Sequence, residues 1–358
     1  MTDQIQFTIK PELLPVLGKI SGHPLSPVSP FRYGKDTDTA GGIGLLAALG
    51  ICDAQGTIAA DKKDAVSSLA RAESFTRIYL TTPQRVTEYI VYFAPDGKIV
   101  GVSNDHGIQL ITFPAPNDAM LAQIRQTIGF SRYRSIPFDA HLNRAETLVL
   151  SAMIDLQRKE ILKKFADGKK ADRIAVSAED VLEMLRNPPE NFPWFSGDFV
   201  SLFSQARIPV PGDIFGIFAS LEEKKHIARA EEKYRLSDEG IVLARSHLLP
   251  SMYLTVTTGK GQPSGKTNIA GFSCIISGIH DLLYIDYNAD EVELEAVSSA
   301  GIHDMVKTFL TDRSVPGALD TKPAAVPEGG NDHRFCPQCG APLHSGIRFC
   351  GTCGAPVT

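Results

Sequence analysis

Four cysteines near the end of the chain have the spacing of a metal site: Cys336-Pro337-Gln338-Cys339 and, after a gap of ten residues, Cys350-Gly351-Thr352-Cys353. Two residues between paired thiolates let both sulfurs turn toward one ion, and two such pairs complete a tetrahedral shell. Gly340 and Gly354 follow the second cysteine of each pair, where the chain must bend back with no Cβ in the way. Four sulfurs in a closed shell point to zinc. No position is left for water or substrate, so the ion is expected to hold a small fold together rather than to do chemistry. His333 and His344 flank the cysteines, but four thiolates already suffice.

No other group of residues has comparable specificity, and no catalytic or cofactor-binding residue is assigned. The stretch Gly259 to Thr267 ends in GKT after a strand-like segment, as a phosphate-binding loop does. That motif needs a glycine where Lys260 stands, and the loop should open a helix, whereas NIAGFSCII (Asn268 to Ile276) is β-branched and strand-like. A long hairpin loop is expected instead. Leu282 to Asp286 imitates the acidic strand of a nucleotide hydrolase, but reads equally as one strand of a meander. The histidines His23, His106, His141, His226, His247, His280 and His303 form no HxxxH or HExxH pair. Asp105-His106 and His280-Asp281 read as turns, since adjacent residues point in different directions. Cys52 and Cys274 sit singly among apolar residues, without a basic neighbour to lower a thiol pKa, and are expected to be reduced and buried.

The elements that must carry these residues follow from composition and patterning. At 358 residues, with 43% hydrophobic and 22% charged residues, the chain is expected to form two or three globular domains. The net charge of -5 gives no hint of a nucleic-acid or anionic-membrane surface, no stretch of 18 apolar residues is present, and Met1 to Lys10 lacks the basic and apolar regions expected of a signal peptide. A cytoplasmic protein without membrane insertion is therefore expected. Ser21 to Gly41, with Pro24, Pro27 and Pro30, reads as an extended arm, and Arg313 to Asp332 as a flexible tether.

The segments Ala60 to Gly129 and Ser237 to Asp312 look like two copies of one unit. In the first, a helix through Ala65 and Leu69 precedes strands at Phe75 to Thr82, Val86 to Phe93, Lys98 to Val102 and Ile108 to Phe113, and a helix through Met120 and Ile124 closes it. In the second, a helix through Ile241 and Leu248 precedes strands at Met252 to Thr258, Asn268 to Ile276, Leu282 to Tyr287 and Glu291 to Val297. A helix through Ile302 and Phe309 ends that copy. The fold expected is α+β: two pseudo-twofold-related repeats of helix, four-stranded antiparallel meander and helix, with a helical middle and a C-terminal zinc ribbon. The corresponding domains are 1–130, 131–236 and 237–312, then a linker at 313–332 and the ribbon at 333–358.

In the middle, His141 to Phe165 has the apolar spacing of a long amphipathic helix, through Leu142, Ala145, Val149, Ala152 and Leu156. Its C-terminal part carries Arg158, Lys159, Lys163, Lys164, Lys169, Lys170 and Arg173. This reads as a solvated face ahead of a phosphate-binding patch, because aromatic residues do not interleave with the charges. The run Phe192, Trp194, Phe195, Phe199, Phe203 and Phe215 reads mainly as core. Leu221 to Leu248 resembles the wing of a winged-helix module, and Gly44 to Ala72 has a similar helix and turn. The helix before the wing, Asp213 to Lys225, is apolar with balanced charge, so winged-helix packing without DNA binding is the expectation.

The winged-helix-like turns, the Ser67-Ser68-Leu69-Ala70-Arg71 helix, the strand meander and its closing helix make residues 40 to 312 resemble the EspG-type chaperones of type VII secretion. That resemblance implies two α+β halves about a pseudo-twofold axis and a non-enzymatic role in binding a helical substrate pair, with no binding residue carried over. The tail (CPQCG and FCGTCG) is similar to the short zinc-ribbon modules that end many bacterial and archaeal proteins, and departs from the EspG pattern. The expectation is a protein-binding adaptor or chaperone-like scaffold whose tethered ribbon adds a second contact; a nucleic-acid-associated regulator is the alternative.

Overall fold

The computed structural model of the protein describes residues 4–32, 38–82, 84–105, 107–189, 192–203, 208–287, 291–312, 334–335 and 342–343. The expected tether and all four cysteines expected to ligate a metal, Cys336, Cys339, Cys350 and Cys353, lie outside these residues, as do His106, His333 and His344.

In chain order the elements are β1 (Ile5–Ile9), α1 (Leu14–Ile20), α2 (Thr39–Ala48), α3 (Lys63–Ala70), β2 (Ser74–Thr81), β3 (Val86–Phe93), β4 (Ile99–Asp105), β5 (Ile108–Phe113) and α4 (Asn117–Ile128). The middle holds β6 (Asp139–Asn143), α5 (Arg144–Ala166), α6 (Ala178–Arg186), α7 (Phe195–Leu202), α8 (Ile214–Glu223), β7 (Ile227–Ala230) and β8 (Lys233–Leu236). Then come α9 (Asp238–Ser246), β9 (Met252–Gly261), β10 (Thr267–Gly278), β11 (Asp281–Tyr287), β12 (Glu291–Val297), α10 (Ser299–Thr311), β13 (Arg334–Phe335) and β14 (Pro342–Leu343). The protein is α+β with a large antiparallel sheet. No helix among the described residues is long and apolar enough to cross a membrane.

Two compact units divide the chain, and both are discontinuous. Among the described residues, the first takes those up to Phe130, then Leu254–Gly271 and 300–312. Its strands lie in the order β1-β5-β4-β3-β2-β9. β2 alternates, burying Ser74, Thr76, Ile78 and Leu80, while the end of β3 is buried on both faces. One face, with Ile90, Tyr92, Val100, Val102 and Ile111, packs in a core with Leu17 of α1, Leu46 of α2 and Leu69 of α3. α10 is tied down by hydrogen bonds from Thr76 Oγ1 to Phe309 O (2.7 Å) and from Asn117 Nδ2 to Leu310 O (2.8 Å). Gly271 is obligatory in β10: a Cβ there would fall onto the Val256 carbonyl oxygen, which is backbone and cannot step aside.

The second unit takes Ser131–Tyr253 and Phe272–Ser299. β10, β11, β12 and β6 are successive antiparallel neighbours, with Leu283 opposite Ala296 and Leu294 opposite Ala140. The inward side chains Ile275, Leu283, Ile285 and Leu294 share a core with Val149 and Met153 of α5, Phe195 and Phe199 of α7, and Phe218 of α8. α5 is started by a capping box: Asn143 Oδ1 accepts from Glu146 N (2.9 Å) and Glu146 Oε2 from Asn143 N (2.7 Å). α6 begins in the same way at Ser177 and Asp180.

Both expected helix–four strands–helix segments contain these elements in that order, as α3-β2-β3-β4-β5-α4 and α9-β9-β10-β11-β12-α10. The expected long helix is corrected at its start. Residues 141–143 belong to β6, which pairs with β12, and the Asn143 cap delays the helix to Arg144. Leu142 is therefore a strand residue. The arm expected from Ser21 to Gly41 also ends earlier, since Asp38 caps α2 by accepting from Ala40 N and Gly41 N (both 3.1 Å).

Candidate binding surfaces and the cysteine-rich tail

β13 and β14 pair antiparallel, with Arg334 opposite Leu343 and Phe335 opposite Pro342. Cys336 and Cys339 fall in the six residues that join them. The donor set, two CxxC pairs of soft thiolates, fits zinc, and a short hairpin flanking the first pair fits the same ion. Among the described residues there is no group of three or more histidine, cysteine, aspartate or glutamate side chains that could hold a metal. Cys52 and Cys274 are buried and unpaired, and burial raises both thiols, so both behave as packing residues.

The GKT stretch is a hairpin loop joining β9 to β10. It is closed by Gln262 N donating to Lys266 O (2.8 Å), with Gly265 in the left-handed region at φ +81. His280 and Asp281 make no dyad. His280 offers its carbonyl to Ser135 N (3.1 Å) and its ring to the edge of Tyr133, while Asp281 opens β11.

In the second unit α5 is followed by an isolated bridge from Val176 to Tyr234, then α6, α7, α8 and the β7–β8 hairpin, an order compatible with the winged-helix-like packing expected from the sequence. In a nucleic-acid-binding version α8 would present cations. Here Phe215 on α8 is 60% exposed and Val210 just before it is exposed too. Lys224, beyond the helix end, is held at 2.7 Å by Glu146. Burial works to raise the Glu146 carboxyl, but hydrogen bonds from Lys224, Ser220 and the Asn143 backbone outweigh it and hold the pKa below the usual range. A shallow cleft of about 460 Å³ lies beside α8, with Asn143, Glu146, Gly216 and Ser220 in its lining.

The first unit has a counterpart in α2, a bridge from Cys52 to Ile58, and α3. α2 carries no charged residue, and Leu45 (57%) on it and Leu49 (48%) at its C-cap are exposed beside Gly41, Gly44 and Ala48. Gly42 is needed inside the chain, because a Cβ there would strike Val16. Gly44 has open space where its Cβ would be and no positive φ, so nothing described in the chain requires a glycine there. A mid-helix glycine costs about 1 kcal/mol relative to alanine.

Arg158 is not part of a solvated face: it is wholly buried, against the expectation from its basic neighbours. Its Nη1 donates to Asp155 Oδ1 at 2.6 Å and its Nη2 to the carbonyls of Pro193 (2.9 Å) and Leu248 (3.1 Å). The guanidinium lies 4.7 Å from the Phe195 ring centroid and 5.0 Å from that of Phe192. Asp155 also accepts from Phe195 N, Ser196 N and Ser196 Oγ, so a carboxylate of α5 caps the first turn of α7. Of the aromatic run, Trp194, Phe195, Phe199 and Phe203 are core, and Phe215 is surface. The one legible hint of this cluster was the (i, i+3) spacing of Asp155 and Arg158 beside that run.

His247 lies near the same cluster, buried, its Nδ1 3.0 Å from Ser246 Oγ and its Nε2 without a partner. Burial pulls its pKa down to about 4, with Arg158 adding to the effect and Asp281 opposing it. The folded protein therefore keeps His247 neutral where the unfolded chain, with an ordinary pKa near 6.5, binds a proton. Stability is expected to be unaffected by this group above pH 6.5 and to fall by about 3 kcal/mol as pH drops from 6.5 to 4. Urea unfolding of wild type and His247→Gln across that window checks it: the wild type should lose about 3 kcal/mol more than the variant between pH 6.5 and 4. In comparison with known proteins, no family model matches this chain, and no curated sequence matches it at a significant level.

Proposed function

We propose that this protein is a non-enzymatic adaptor or chaperone-like scaffold whose body binds a protein partner, with a C-terminal zinc ribbon as a second contact. The observation that carries this reading is the uncharged, exposed face of α2, with Leu45, Leu49 and the otherwise unexplained Gly44. An apolar helix face with room for close approach suits a packed protein surface. Exposed Phe215 on α8 supports the same reading, because helix, β-turn or hairpin, and helix recur there as α8-β7-β8-α9.

This recurrence is in keeping with the duplication expected from the sequence. In the first unit β1 adds to the outer side of β5, and in the second β6 adds to β12, each the last strand of its meander. Two copies of one strand–helices–meander–helix unit, the pseudo-twofold relation expected from the sequence and from its EspG-type resemblance, account for this order. The alternative, a nucleic-acid-associated regulator, draws on the winged-helix order alone, and the apolar α8 and the engagement of Lys224 weigh against it.

The test is affinity capture with the full chain, with a chain lacking residues 331–358, and with Leu45→Glu/Leu49→Glu. A co-purifying protein is expected at near-stoichiometric amount, reduced at least about tenfold by the double substitution, as for loss of a buried interface centre. Equal recovery by the wild type and the double variant would sink the reading. Salt-sensitive retention on DNA, lost when Lys163, Lys164, Lys169 and Lys170 are neutralised, would favour the alternative.

A further inference from the structure

The C-terminal end of α5 pairs a protruding aromatic ring with unpaired cations. Phe165 is 80% exposed, the most exposed large hydrophobic residue among those described. It stands in a stretch, 159–173, with six cationic side chains against three acidic ones. Glu160 is engaged by Lys164 at 3.6 Å, and Arg173 by Asp238. Lys159, Lys163, Lys169 and Lys170 are exposed and make no ion pair among the described residues.

The arrangement is held in place. Gly168, at φ +66, ends the helix with its N–H on Phe165 O (3.0 Å), and Lys169 N donates to Lys164 O (2.8 Å). Buried Gln157 then fixes the returning chain, donating to Asp172 O (3.0 Å) and accepting from Ile174 N (3.1 Å). Lysines near a helix C-terminus complement its dipole, which explains Lys163 and Lys164 but not an exposed phenylalanine in their midst.

We propose that this helix end docks on an anionic lipid surface, with the Phe165 ring entering the headgroup layer and Lys159, Lys163, Lys169 and Lys170 meeting lipid phosphates. The backbone stays outside the hydrocarbon, in keeping with the lack of a spanning helix among the described residues. The positive patch complements anionic headgroups. Lipid is favoured over single-stranded nucleic acid by the ring itself: a base-stacking platform has one face backed by protein, whereas this ring is open on nearly all sides and suits a medium that surrounds it. The site is independent of α2, so it stands or falls apart from the adaptor reading.

The experiment is co-sedimentation of the full chain with vesicles of phosphatidylcholine alone or mixed with phosphatidylglycerol, at low and high salt. Binding is expected only to the anionic vesicles and to weaken with salt. Neutralising each of Lys163, Lys169 and Lys170 to glutamine should weaken partition about fivefold. Phe165→Ser should weaken it about tenfold with an unchanged urea midpoint, as its ring packs on little. In Phe165→Trp, indole emission should shift to the blue on anionic vesicles. Equal partition of wild type and the lysine-neutralised chain, equal binding to neutral vesicles, or Phe165-dependent binding to a single-stranded oligonucleotide without vesicle binding would each overturn the proposal.

Discussion

Replacing Asp155 with alanine is expected to lower the unfolding free energy by about 3–5 kcal/mol, because it strands the Arg158 guanidinium in an interior with no counter-charge. Two costs add. Arg158 loses its shortest hydrogen bond, at 2.6 Å, and keeps only two neutral carbonyl acceptors. The first N–H groups of α7, on Phe195 and Ser196, lose their acceptor in a place water does not reach. Burial holds the Asp155 carboxyl above its usual range, and Arg158 and the Ser196 donors oppose that shift without cancelling it. Asp155→Asn keeps an acceptor for the helix and should cost less than Asp155→Ala. Adding Arg158→Met to Asp155→Ala should recover part of the loss, since the unpaired charge is then gone. Denaturation midpoints of the four proteins check this, and a double variant no more stable than Asp155→Ala would contradict it.

Loss of the zinc proposed for the tail is the second large expected effect. A structural zinc in a four-thiolate site contributes about 10–16 kcal/mol of binding free energy at pH 7, nearly all of it folding energy of the module it holds. Full-length protein is expected to carry one zinc per chain, and Cys336→Ser combined with Cys350→Ser should abolish it. The melting transition of the body should stay within about 1 °C, because the tail is joined through Arg313 to Asp332, whose composition is that of a tether. Metal analysis and calorimetry of the two proteins measure both quantities. Unchanged zinc content in the double variant would remove Cys336 and Cys350 as ligands.

The strands Val86 to Phe93 and Leu282 to Tyr287 were legible because β-branched and aromatic residues are packed densely there and bounded by turn residues. β1 and β6 were not. Each is five residues of mixed polarity at the edge of its meander, so only the partner strand makes it a strand. For β6 the helical spacing of Leu142 with Ala145 and Val149 disguised it further, until the Asn143 cap separated strand from helix. The basic run misled in a different way. Seven cations in sequence look alike, yet Arg158 turns inward to Asp155 and the aromatic rings, while Lys159 next to it turns out. Phe165, passed over as the end of an apolar pattern, is the ring that interleaves with the lysines after all.

The sequence by itself determined the chemistry that short spacing controls. Two CxxC pairs point to a soft, closed metal site, and the residues around GKT exclude a phosphate loop, because both readings depend on neighbours a few bonds apart. It also set the order of helices and strands in the two meanders, through local periodicity. Tertiary structure decided which side chains face one another and which are left uncovered. Asp155 reaches across to cap α7 some 40 residues on in the chain, and Leu45, Leu49, Phe165 and Phe215 stay in solvent although their types favour burial. Those outcomes depend on packing among distant segments, which residue type and local spacing do not specify.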